Sequence, residues 1–90
     1  MVINMDACVY SRKNYNIYKC KNGSYVVHNT KKPFEYGHTH VADVEIAKLL
    51  IKCAIKKRVP DHLSKYLKVS LLRIADDYRY VDRIKTSLRK

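Results

Sequence analysis

YNIYKCKNGSYVVHNT, residues 15–30, decides the fold of the first half of this chain. Tyr, Val and Ile suit the pleated surface of a strand, and Asn22-Gly23 tolerates the positive φ angles of a two-residue type I′ turn. The stretch predicts two antiparallel strands, 15–21 and 24–30, closed into a β-hairpin. Across such a turn Cys20 faces Tyr25, Tyr18 faces Val27 and Ile17 faces His28, so Tyr18, Cys20, Tyr25 and Val27 share one face. A lone hairpin is marginal in water, and residues 7–10 supply a third strand through the polar turn 11–14.

Downstream the apolar period lengthens. From 41 to 57, Glu45, Lys48, Lys52 and Lys56 recur at steps of three and four and form one wet stripe of a helix, while Val44, Ala47, Ile51, Ala54 and Ile55 lie elsewhere. Ile46, Leu49, Leu50 and Cys53 widen the apolar surface, which makes this the central helix. Pro60 separates it from a second helix with Asp61 as the expected N-cap and Leu63, Tyr66, Leu67, Ser70, Leu71 and Ile74 as its core stripe. Asp76 and Asp77 then open a third helix, with Val81, Ile84 and Leu88 facing inward.

The fold class is therefore α+β: an N-terminal hairpin or small antiparallel sheet followed by three helices. Residues 1–90 form one domain, β-rich over 1–36 and helical over 41–90. Between the parts, Gly37-His38-Thr39-His40 is expected to be a junction, with Gly37 at an unusual backbone angle and Thr39 capping a helix that begins at Val41. The histidines would then stand at a helix N-terminus, where an anion is welcome. A helix-turn-helix over 63–70 is disfavoured, because Leu71, Leu72 and Ile74 continue the apolar stripe and Lys68 stands where a turn favours Gly.

Charge carries the functional expectation. Nineteen Lys and Arg against eight Asp and Glu leave +11, more than the net charge of roughly 2 to 8 that keeps a small domain soluble. Six basic minus two acidic residues give +4 over 1–40, and thirteen minus six give +7 over 41–90. Lys48, Lys52 and Lys56 on the first helix, with Arg79 and Arg83 on the last, are the first candidates for phosphate contacts. Lys90 continues that spacing, and Lys56-Lys57-Arg58 adds a local cluster. Lys19, Lys21, Lys31 and Lys32 make a second patch on the hairpin side, where Tyr15, Tyr18, Tyr25 and Tyr36 offer stacking surfaces for unpaired bases. No discrimination among base sequences is expected.

Catalytic apparatus is thin. Gly37–His40 resembles, over four residues, the Gly-His-x-His that closes the site of metallophosphoesterases, but their other motifs are absent and no activity carries over. Cys8, Cys20, His28, His38 and His40 are of zinc-ligand type without C-x-x-C or H-x-x-x-H spacing, so neither metal nor cofactor is expected. Cys53 reads as small packing and Asp76-Asp77 as capping, while Gly23 and Gly37 alone cannot make a phosphate loop. An odd cysteine count, no signal-like start and no apolar run near 20 residues point to the cytoplasm and away from membranes.

The expectation is a small non-enzymatic binding module without a small-molecule substrate. It docks electrostatically on nucleic acid or on nucleic-acid-handling host machinery, a profile shared by phage or mobile-element regulators and inhibitors. The alternative is a protein-interaction or homodimerisation module that uses its apolar helix surface, with charge serving solubility and steering.

Overall fold

The computed structural model describes residues 5–89. Strands β1 (Met5–Arg12), β2 (Tyr15–Cys20), β3 (Tyr25–Asn29) and β4 (His38–Val41) precede helices α1 (Val44–Lys56), α2 (Lys65–Ile74) and α3 (Tyr78–Leu88). The strands pair antiparallel in the order β1-β2-β3-β4, so the α+β plan holds with a four-stranded sheet.

The hairpin register differs from expectation by one residue. Lys19 pairs with Tyr25, Tyr18 with Val26 and Ile17 with Val27. The extra residue lies in the turn around Asn22-Gly23, where Gly23 donates to the Cys20 carbonyl at 3.0 Å and Cys20 donates to the Ser24 carbonyl at 2.8 Å. Gly23 alone there takes the left-handed conformation, at φ 89°, as befits the residue after a tight turn. Because side chains alternate along a strand, the shift exchanges the faces. Tyr15, Ile17, Val27 and Asn29 enter the core side, while Tyr18 and Val26 pair on the other. A two-residue connection lies instead at Lys13-Asn14, between paired Arg12 and Tyr15, with Lys13 at φ 54°.

The junction expected at 37–40 is a strand. Thr39 and Val41 are buried and His40 is exposed, a period of two that a helix start would not show. Gly37 has no positive φ; an added Cβ there would lie 2.5 Å from the Lys32 Cβ, so space demands the glycine. Asp43 caps α1, its Oδ1 accepting from the Glu45 N–H at 2.7 Å. Ser64 caps α2 in place of Asp61, accepting from the Leu67 N–H at 3.2 Å; the expected stripe of Leu63, Leu67, Ser70, Leu71 and Ile74 faces the core, and only Tyr66, at its edge in the first turn, is exposed. Asp77 caps α3 as expected, and Tyr80 fills the interior beside Ile84.

One apolar core joins the two layers. Tyr15, Ile17, Val27 and Val41 from the sheet meet Leu50, Ile51 and Ala54 of α1, Leu71 and Ile74 of α2, and Ile84 of α3. Helix α1 lies across β2, β3 and β4, α2 across β3 and β4, and α3 packs on α2. No helix among the described residues is long and apolar enough to cross a membrane.

A polar clip closes one end of this sandwich. Asn29, fully buried, donates from Nδ2 to the Ile74 carbonyl at 2.8 Å and accepts at Oδ1 from Asn14 Nδ2 at 2.7 Å and the Lys31 N–H at 3.0 Å. Lys32 Nζ donates to the Arg73 and Ala75 carbonyls at 3.2 and 3.1 Å. The carbonyls that end α2 are thus satisfied from the sheet. Asn29→Ala strips partners from three groups, two of them backbone, and is expected to lower unfolding free energy by about 2–4 kcal/mol in urea denaturation. A decrease below about 0.5 kcal/mol would show that water replaces the amide without cost.

Candidate polyanion interface

Lys48, Lys52 and Lys56 are exposed along α1 at four-residue steps, a line of roughly 12 Å. Lys48 is partly engaged: its Nζ is 3.7 Å from Glu45 Oε2 and 5.1 Å from the Tyr10 ring centroid. Its approach to Glu45 is the one ion pair among the described residues. Asp43 and Asp77 spend their carboxylates on helix caps, so they do not neutralise neighbouring cations through hydrogen-bonded pairs.

Helix α3 meets the end of α1. Lys57 takes the left-handed conformation at φ 56° and turns the chain back, which exposes its carbonyl and that of Arg58 to α3. Arg83 Nη1 donates to the Lys57 carbonyl at 2.8 Å, and the Tyr80 hydroxyl donates to the Arg58 carbonyl at 2.7 Å. Lys57 Nζ stands 5.5 Å from the Tyr80 ring centroid. Lys56, Lys57, Arg58 and Arg83 therefore gather at one corner, and Arg79 lies one helical turn before Arg83 on the same side. Asp61 and Asp82 line a cleft beside Arg83 with Val59, Thr86 and Ser87, and bound the basic surface there. Lys90 lies outside the described residues.

The hairpin lysines do not form one patch. Lys19 and Lys21 sit at the β2–β3 turn, whereas Lys31 and Lys32 follow the opposite end of β3, a strand length or roughly 13 Å away. Lys32 is moreover committed to the α2 carbonyls. Of the tyrosines expected to offer stacking surfaces, Tyr15 is buried, Tyr18 and Tyr25 are half-buried and Tyr36 is exposed. Tyr66 and Tyr78 are exposed on helices, where spacing alone gave no sign of a stacking surface.

His28, His38 and His40 lie on the outer face of the sheet, in strands β3 and β4 and not in a helix cap. His28 pairs with His38 across β3 and β4, and Phe34 folds back over them, its ring stacked on His38 at 4.2 Å and tilted against His28 at 5.1 Å. His28 Nε2 bonds the Lys32 carbonyl at 3.0 Å, and His38 Nδ1 bonds the Phe34 carbonyl. These rings thus fasten the 30–37 loop to the sheet. Burial, then neighbouring His38 and Arg73, lower the pKa of His40 and favour its neutral form. No group of three or more His, Cys, Asp or Glu side chains converges as a metal site among the described residues. Cys20 and Cys53 are buried and Cys8 is exposed, all as free thiols; burial pushes the Cys53 thiol up, against the pull of Lys52 and Arg58.

Beside β4, the α2 residues Tyr66, Val69, Ser70 and Arg73 form a shallow groove with Thr39 and His40. The Tyr66 hydroxyl donates to the His40 carbonyl at 3.4 Å. No known protein family, curated protein or solved structure matches this chain.

Tyr80 ties the basic corner to stability. Burial raises its hydroxyl pKa well above the ordinary tyrosine value of 10.0, with Cys53 and Tyr15 adding to the rise and Arg83 opposing it. The unfolded chain therefore ionises first, so the hydroxyl's stabilisation is complete below pH 10.0 and is lost as pH rises beyond it. Tyr80→Phe is expected to cost about 1 kcal/mol near neutrality and to flatten the alkaline decline in denaturation curves. Tyr15, also raised, would retain part of that decline. Parallel wild-type and variant profiles above pH 10.0 would contradict this assignment.

Proposed function

We propose that this chain is a small non-enzymatic module that docks on nucleic acid through the surface built from Lys48, Lys52, Lys56, Arg79 and Arg83. Lys57 and Arg58 join it at the α1–α3 corner. The observation that carries the reading is the single described ion pair in a chain of nineteen basic and eight acidic residues. Of these cations only Lys48 comes within ion-pair distance of a carboxylate, so the others are free to meet phosphates, and phosphate binding releases the counterions held by the nucleic acid.

Geometry adds preorganisation. Arg83 is held by the Lys57 carbonyl, which fixes its direction and leaves its other N–H groups available to a phosphate oxygen. Backbone contacts of this type position a protein without reading bases, so the affinity is indifferent to sequence. In the cytoplasm such a module suits a regulator or inhibitor that occupies nucleic acid stoichiometrically, and three free thiols are at home in a reducing compartment.

Fluorescence anisotropy with a short mixed-sequence duplex tests the reading. Neutralising about five phosphates makes log K fall against log salt with a slope of roughly −4.5, and removing one such cation flattens the slope by about 0.9. Lys52→Glu combined with Lys56→Glu should therefore flatten it by about 2 and weaken all sequences alike. A slope unchanged in that variant would remove the α1 surface from the interface.

A further inference from the structure

Resting on the docking function proposed above, we propose that the groove between β4 and α2 holds an unpaired nucleotide of single-stranded nucleic acid, with its base on the Tyr66 ring and its phosphate on Arg73. Tyr66 is 67% exposed, although aromatic rings on amphipathic helices are ordinarily buried. Its hydroxyl is held by the His40 carbonyl, which orients the ring beside the groove. Val69 and Arg73 follow at three and seven residues along α2, so all three side chains lie on one face, with Arg73 roughly 10 Å beyond Tyr66.

The floor is polar as well as apolar. Thr39 and Ser70 bring hydroxyls to the groove, His40 forms its edge and Val69 supplies a half-open apolar surface. Helix α2 carries Lys65, Lys68 and Arg73 and no acidic residue, and the Arg73 guanidinium makes no ion pair among the described residues. An exposed aromatic face followed by an uncountered guanidinium is the pairing that single strands use: base on ring, phosphate on cation. In a duplex, stacking neighbours cover the base faces, so Tyr66 would offer that form little. The other exposed tyrosines have carboxylate neighbours: Tyr78 shares its groove with Asp76 as well as with Lys31 and the committed Lys32, and Tyr36 adjoins Glu35.

Labelled oligo-dT, oligo-U and a duplex, titrated at one low salt concentration, separate this site from the α1–α3 surface. Tyr66→Ala should weaken single-strand binding on the order of 10-fold and leave duplex binding unchanged, whereas Tyr66→Phe retains the ring and near wild-type affinity. Arg73→Gln should also weaken single-strand binding. Thermal melts matching wild type would confirm that these exposed substitutions leave the fold intact. Unchanged single-strand affinity in Tyr66→Ala, with duplex binding intact, overturns the groove site and leaves the docking function standing. An equal loss on duplex and single strand overturns it too, and failure of every oligonucleotide to bind overturns both.

Discussion

The Asn29 side chain is the point on which the two layers of this protein are registered. Its amide joins the end of β3 to the last carbonyl of α2 across 45 residues of sequence, and it simultaneously receives Asn14 from the β1–β2 turn. A buried amide left without partners costs about 1–3 kcal/mol, so the arrangement is stable only when sheet and helix meet in this one way. Lys32 reinforces it from the following loop, and Gly37 is small because Lys32 must pass against it. With α2 seated, its outward face stands beside β4, and α3, packed on α2, is carried to the end of α1.

The second constraint is a shortage of carboxylates. In a chain with eight acidic residues, two cap helices and one meets Lys48, while Asp61 and Asp82 stand at a cleft next to Arg83 without closing an ion pair. Carbonyl contacts such as that of Arg83 hold a side chain in place without cancelling its charge, so they strengthen a binding surface where a carboxylate would weaken it. The same economy explains why Lys32, although basic, belongs to the fold: both hydrogen bonds of its Nζ go to the α2 end.

Much of this architecture was legible from periodicity. The 3.6-residue spacing of Ala47, Leu50, Ile51 and Ala54 announced α1, and Ile84 with Val81 and Leu88 announced α3. Register was less legible, because Asn-Gly suits a two-residue turn while Gly alone suffices for the longer connection observed; one residue then moves Tyr25 and Val27 from the face of Tyr18 to that of Ile17. Strand β4 is hard to read because it is only four residues long, two of them histidine, and is held by pairing with β3. Spacing puts Tyr66 on the core stripe of α2, whereas it is the one member of that stripe exposed to solvent, and the buried Tyr80 carries no comparable signal. The α1 stripe of candidate cations was visible locally. The meeting of Lys57, Arg58 and Arg83, and the separation of Lys21 from Lys31, depend on tertiary contacts that no spacing reveals.

The central claim is that the cations along α1 and at its corner with α3 are a docking surface and not a general coat of charge. Amide chemical-shift mapping of isotope-labelled protein during titration with an oligonucleotide tests it most directly. The expected shifts are concentrated in the outward stripe of α1, at residues 56–58, at Arg79 and Arg83, and, with a single strand, along the β4–α2 groove. Small shifts spread evenly over every exposed lysine, including those at the two ends of the hairpin, would contradict it.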